Sequence, residues 1–213
     1  MKRDRQVESI RQAYPKLAIT SVAFGEGGQN NDVVVVNEEW IFRFPRYLEA
    51  LERLEVETAI LQGIEAYVSL EIPEPVYVAL EGREIGEAFT GYRRLPGEPL
   101  WRETFQTIED EWTVLRLAGQ LGGFLLALHR VPVEEAIEPA LQAIGAALPQ
   151  ADTYEECADI YERMQWKLFP QMRPDARRWA AEHFKQFLGD GASFEYEPVL
   201  KHGDFGPSNI LYD

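Results

Sequence analysis

The spacing of apolar residues changes along this chain. Val7, Ile10 and Tyr14 recur at helical intervals, which predicts a helix over Asp4–Tyr14 stopped by Pro15. Short extended runs follow at Ile19–Phe24, Asp32–Val36 and Trp40–Phe44, the last after turn residues Asn37–Glu39. Gly25, Gly27 and Gly28 form a loop between the first two runs. Along Trp40–Pro45 the side chains alternate, so Ile41 and Arg43 share one face and Phe42 and Phe44 the other. The helical interval returns over Tyr47–Tyr67, with Leu48, Leu51, Leu54, Thr58 and Leu61 in one stripe. Glu49, Glu52, Arg53 and Glu55 form its solvated face, and Glu57 sits at the margin, where it can meet an arginine from a neighbouring strand. Val76–Leu80 and Ile85–Arg94 read as further strands.

Leu95-Pro-Gly-Glu-Pro-Leu100 packs two prolines and a glycine into six residues, the strongest linker signal in the chain. Signals before it are mainly β and those after it are almost wholly helical, which reads as α+β. The expected organisation is a lobe over residues 1–94 and a second lobe over 95–213. Glu111–Arg130 is a helix in which Trp112, Leu115, Ala118, Leu121, Leu125 and Leu128 mark the apolar stripe. Gly119, Gly122 and Gly123 weaken that helix unless another backbone packs against them. His129 reads as a partner for the helix C-terminus. Thr153–Leu168 and Pro174–Leu188 are helices with Trp166 and Trp179 as core anchors, while alanine-rich Glu138–Pro149 fits no clear element.

Composition narrows the class. The chain has 213 residues, 46% of them hydrophobic and 27% charged, as in an ordinary globular protein. The charged N-terminus MKRDRQVESIRQAY has no secretory h-region, no stretch reaches membrane-span length, and the single Cys157 cannot form an internal disulfide. These features point to a cytoplasmic protein. A net charge of −15 disfavours nucleic acid and attracts a cationic small molecule, unless it serves only solubility.

The chemistry concentrates in Leu200–Asp213, LKHGDFGPSNILYD. Apolar runs on both sides predict a strand, a tight polar loop and a second strand, with His202, Gly203, Asp204 and Asn209 in H-G-D-x-x-x-x-N spacing. Phosphoryl transfer asks for such a pair: an Asp accepts the proton of the attacking hydroxyl, and an Asn oxygen holds Mg²⁺ on the phosphates. The glycine loop can cradle phosphates with its N–H groups or be a plain turn, and Arg43 alone can be a phosphate contact or a surface cation. Other chemistries fail on their motifs. The three histidines and one cysteine have no zinc spacing, and there is no Walker A loop, G-x-S-x-G elbow or complete dinucleotide fingerprint.

Glycine loop, arginine strand, Glu57 helix, Pro-Gly linker, helical half and H-G-D-x-x-x-x-N-I-L stand in the order of the aminoglycoside phosphotransferase family, which the chain resembles from about Ile19 onward. The segments Ile41-Phe-Arg-Phe-Pro-Arg46 and Leu95–Leu100 resemble its antibiotic phosphotransferase branch, particularly 2″-aminoglycoside and macrolide members. The resemblance implies a bilobal protein-kinase-like fold, with an antiparallel sheet lobe and a mainly helical second lobe. It makes Asp204 the catalytic base and Asn209 a Mg²⁺ ligand. Arg43 takes the place of the strand lysine on the α/β phosphates, with Glu57 as its helix partner. Gly25, Gly27 and Gly28 lie over the phosphates, and Tyr92, Arg93, Arg94 and Leu95 form the hinge beside the purine of ATP or GTP.

The family carries a further metal-binding Asp, in an Ile-Asp-aromatic strand soon after the Asn. The sequence ends at Asp213, which falls too close to Asn209 to replace it. The expectation is therefore an incomplete helical lobe and a truncated kinase of impaired activity, with exposed apolar surface inviting homodimerisation. The acceptor implied is an aminoglycoside-like hydroxyl. The alternatives are a non-catalytic nucleotide-binding remnant and a kinase for a macrolide or another small metabolite.

Overall fold

A computed structural model describes residues 2–25, 28–148 and 153–213. By contacts the chain divides into two compact units, Met1–Leu148 with Leu200–Asp213, and Pro149–Val199.

The first unit opens with α1 (Lys2–Ala13), followed by β1 (Val22–Phe24), β2 (Asn31–Val36) and β3 (Trp40–Pro45). Next come α2 (Leu48–Ile64), which runs on through a 3₁₀ turn at Glu65–Tyr67, then β4 (Tyr77–Ala79) and β5 (Phe89–Arg93). The five strands form one antiparallel sheet in the order β1-β2-β3-β5-β4. The three-residue β2–β3 connection holds Asn37 at φ 55° and Glu38 at φ 58°, both in the left-handed region, and Glu39 N–H donates back to Val36 O. The Asn37 side chain steadies that turn: its oxygen accepts from the N–H groups of Thr20 and Ser21, and its amide donates to Ala18 O.

Alternation along the strands decides the layers. Val34, Val36, Phe42, Phe44 and Phe89 point to one face and bury completely with Ile10 of α1. The opposite face carries Arg43, which pairs in register with Val33 and Thr90. Thr58 of α2 donates to Leu54 O, so its hydroxyl proton is spent; Thr90 must then donate to Thr58 Oγ1 across 2.9 Å. That buried pair ties α2 to β5.

The further helices of this unit are α3 (Arg102–Gln106), α4 (Glu111–Leu128), α5 (Val133–Ala136) and α6 (Glu138–Ala143). Phe124 and Leu128 of α4 share a core with Ala59 and Ile64 of α2 and with Ile137 and Leu141. The alanine-rich stretch without a clear sequence reading is thus α6, and its Leu141 is buried. Gly63 of α2 permits the contact with this region, because a Cβ there would lie 2.3 Å from Ala136 O. His129 is the C-cap of α4. In the linker, Glu98–Pro99 forms β6 and pairs antiparallel with β7 (Leu211–Tyr212).

Several sequence expectations do not hold. No strand precedes the polar loop: the backbone from Glu195 to Gly206 is irregular, and only β7 follows the loop. Trp112 and Leu115 begin the helical stripe of α4 yet are 78% and 55% exposed, because their turns extend beyond the packed end of the helix. Leu48, in the first turn of α2, is exposed too. Gly119, Gly122 and Gly123 meet nothing within 4 Å of a Cβ, so close backbone packing does not explain them among the described residues.

The second unit contains α7 (Tyr154–Lys167) and α8 (Pro174–Gly189), joined through a 3₁₀ turn at Phe169–Gln171. A capping box between Thr153 and Glu156 starts α7. Tyr161 stacks on Phe184 at 4.9 Å, and Phe187 packs on Phe194 of the 3₁₀ turn Gly191–Phe194. These rings, rather than the tryptophans, hold the unit: Trp166 is 78% and Trp179 68% exposed, which corrects their reading as core anchors.

Candidate active site

The polar loop is built by local turns. Gly203 adopts φ 80°, a left-handed bend favouring glycine. Asp204 N–H donates to His202 Nδ1 at 3.3 Å, and Gly206 N–H returns to Asp204 O at 2.9 Å. The 3₁₀ turn Pro207–Asn209 then swings Asn209 back, so its amide donates to both Asp204 O, 2.9 Å away, and Asp204 Oδ2, 3.0 Å away. Acid and amide are therefore joined directly, and the amide oxygen of Asn209 has no part in the link. Phe205 anchors the loop by stacking on Phe124 of α4 at 5.8 Å, and His202 meets Phe205 edge-on. The loop's exit is fixed by Leu100 N–H donating to Ile210 O at 2.8 Å and by the β6–β7 pair.

Across the sheet, Arg43 of β3 makes an ion pair with Glu57 of α2. Burial works against the guanidinium charge, but the hydrogen bond and charge of Glu57 more than offset it, and Arg43 titrates above its ordinary value. Tyr92 of β5 lies beside the pair, and burial pushes its phenol above the usual range.

A cavity of about 810 Å³ lies within the first unit, between the sheet and the polar loop. Arg43, Glu57, Tyr92 and Leu95 line it on the sheet side, and His202, Phe205 and Asn209 on the loop side. The exposed Asp204 is not in its lining; it accepts a hydrogen bond from Asn209, which is. A larger concavity of about 1270 Å³ shares Leu95 and Pro96 but contains none of Arg43, His202 or Asn209. Size alone therefore does not locate the chemistry.

Of the remaining sequence candidates, Arg93 and Arg94 line the larger concavity, and neither Gly25 nor Gly28 is in the lining of either. Gly25 directly follows β1, where its N–H donates to Val33 O and a Cβ would press to 3.2 Å of Val33 Cγ1; Gly28 lies before β2. Gly27 lies outside the described residues. Arg93 and Arg94 are exposed at the end of β5; Arg93 pairs with Glu39 at 3.4 Å, and Arg94 N–H donates to Glu39 O. Sequence reasoning missed Phe205, whose place inside the polar motif disguised an anchoring role, and Thr58–Thr90, a pair recognisable only once strand and helix meet.

Among the described residues no cluster of three or more His, Cys, Asp or Glu could hold a metal alone. Mg²⁺ carried by nucleotide phosphates asks less of the protein, one or two oxygens beside phosphates and waters. The uncommitted Asn209 oxygen suits that share.

An antiparallel sheet joined to helices is the architecture of the protein-kinase-like phosphotransferases. The chain belongs to the APH phosphotransferase enzyme family, whose model matches residues 21–213. Among solved structures it is similar to the GDP and kanamycin complex of APH(2″)-IIIa, with a TM-score of 0.80 and 28% identity over 97% of this chain and 66% of that one. The GDP complex of wild-type aminoglycoside 2′-phosphotransferase-IIIa matches with a TM-score of 0.81, at the same identity and coverage. Macrolide 2′-phosphotransferase MphH from Brachybacterium faecium shares the fold, with a TM-score of 0.65 at 19% identity over 99% of this chain and 68% of that one. The chain spans 66% of the length of the first of these relatives. No curated protein sequence matches it.

Proposed function

We propose that the chain carries the nucleotide site and catalytic loop of a small-molecule O-phosphotransferase, which transfers the γ-phosphoryl group of ATP or GTP to a hydroxyl of an aminoglycoside-like acceptor. One observation carries this reading: the Arg43–Glu57 pair and Asn209 line the same cavity, and Asn209 holds the Asp204 carboxylate. In this reading residues 1–94 form the nucleotide-binding lobe and 95–213 the helical lobe with the catalytic loop. Arg43, kept charged and oriented by Glu57, binds the α/β phosphates through its planar fork. Gly25, Gly27 and Gly28 approach the phosphates, and Tyr92–Leu95 flank the purine. Asp204 accepts the proton of the attacking hydroxyl, and Asn209 offers its oxygen to Mg²⁺. When bound, Mg²⁺ would neutralise charge that develops on the phosphates. The net charge of −15 supports a cationic acceptor.

The experiment measures phosphoryl transfer to a panel of aminoglycosides and macrolides with ATP and GTP, alongside nucleotide-induced thermal stabilisation. The expected result is transfer to an aminoglycoside that falls about 10²–10⁴-fold in Asp204→Asn while nucleotide stabilisation persists. Transfer insensitive to Asp204→Asn would overturn the assignment of the base, and a chain that binds nucleotide without any transfer would favour the non-catalytic remnant.

A further inference from the structure

One face of α4 has the spacing of a contact surface but is open. Trp112, Leu115, Gly119, Gly122, Leu126 and the C-cap His129 follow one another at alternating intervals of three and four, so they share a single stripe, and all are exposed. Trp112 is 78%, Leu115 55% and Leu126 51% exposed, while Phe124 and Leu128 of the same helix are buried in the core. Single exposed apolar residues are ordinary; three on one stripe of one helix mark a surface that can be covered.

The relief of the stripe suits a second helix. A Cβ on Gly119 or Gly122 would meet nothing within 4 Å, so these glycines cost helix propensity for no packing gain among the described residues. Two crossing helices come closest at the centre of their contact and diverge toward its ends. Glycine at the centre of the stripe and leucine or tryptophan toward its ends match that profile.

The stripe is also self-complementary. When one copy of α4 lies antiparallel on another, Gly119 faces Gly122, Leu115 faces Leu126 and Trp112 faces His129. Charge selects this orientation. Glu109 and Glu111 are exposed at the start of α4 and Arg130 is exposed just past its end, and none of the three makes an ion pair among the described residues. A parallel pair would set acidic end against acidic end. An antiparallel pair brings the acidic end of each copy to Arg130 of the other and opposes the two helix dipoles.

We propose that two copies of the chain pair through this face of α4, antiparallel about a two-fold axis that passes between Gly119 and Gly122. The interface uses the same patch on both copies, so it closes at a dimer. It is independent of the phosphotransferase reading.

The test is sedimentation velocity of the full chain over a concentration series, with circular dichroism to show that each variant is folded. The variants are Leu115→Glu, Arg130→Glu, Arg130→Glu combined with Glu109→Arg, and the control Leu48→Glu, which alters a 60% exposed residue on α2. Wild type should dimerise. Leu115→Glu should raise the dimer dissociation constant at least about tenfold and Arg130→Glu about threefold, with part of the latter recovered by Glu109→Arg. Leu48→Glu should leave it unchanged. A wild type still monomeric at about 100 µM overturns the pairing and leaves the face to a different polypeptide. A dimer indifferent to Leu115→Glu, or weakened as much by Leu48→Glu, overturns α4 as its interface. Loss in Arg130→Glu without any recovery in the double variant overturns the antiparallel arrangement.

Discussion

The two sides of the cavity are built on different principles. On the sheet side, Arg43 sits mid-strand between paired neighbours, its side chain only 25% exposed, and its partner Glu57 rides on a helix pinned by the Thr58–Thr90 pair. On the loop side, His202, Gly203, Asp204 and Asn209 are all exposed, and their geometry comes from a few local hydrogen bonds and one ring stack. The sheet side couples charge to fold stability, since an arginine taken from water must keep its partner. The loop side separates them: its polar groups stay solvated, so changing one costs little folding energy.

That contrast is broken or upheld most directly by pairing Glu57→Ala with Asn209→Ala. Glu57→Ala should destabilise the fold by about 1–2 kcal/mol, a value reduced because Glu57 is itself 42% exposed. Asn209→Ala should stay within about 0.5 kcal/mol of wild type. Urea unfolding measures both. In transfer assays the order should reverse, with Asn209→Ala losing the larger share of rate. Equal stability losses would mean that the loop is as integral to the fold as the strand.

A narrower effect concerns how α2 carries Glu57. Gly63→Ala places a methyl where the Ala136 carbonyl oxygen now sits, and the helix or the α5–α6 segment must yield. The expected cost is about 1–3 kcal/mol by denaturant titration. By contrast Gly122→Ala, in open space on α4, should stabilise by up to about 1 kcal/mol through helix propensity. A neutral Gly63→Ala would show that α2 is not held by that contact.

How much of this was legible beforehand follows from the range of the forces involved. Alternation in Trp40–Pro45 assigned Arg43 its face, and helical spacing put Glu57 at a stripe margin; their ion pair then needed only that strand and helix be adjacent. The H-G-D-x-x-x-x-N spacing carried the Asp204–Asn209 link for the same reason, since both residues lie within one short turn. The strand expected before that loop failed because Pro198, Val199 and Leu200 have the composition of a strand but no partner edge to pair with. The tryptophans failed similarly. A helical stripe specifies which residues share a face, but not whether another element covers it, and Trp112, Trp166 and Trp179 remain exposed. The β6–β7 pairing was hidden because a linker rich in proline and glycine carries no strand signal.

The smallest expected effect lies at the Asp32 hub, where the sheet side's coupling of charge to fold is tested by acid. Burial favours protonation of this carboxyl, yet the hydrogen bonds and charges of Lys2 and Arg46 prevail and hold it below its ordinary 3.8. The folded state therefore binds the Asp32 proton less readily than the unfolded state. Its contribution to stability is complete above that ordinary value and drains away as pH falls through the lowered folded one. Wild type should exceed Asp32→Asn by about 0.5–1 kcal/mol at pH 7, an allowance that recognises Lys2 as mostly exposed and screened by salt. Denaturant titrations from pH 7 to pH 3 should show the gap constant down to about pH 5 and closing below 3.8. A gap that persists unchanged at pH 3 would mean that hydrogen-bond geometry, rather than the carboxylate charge, makes Asp32 matter.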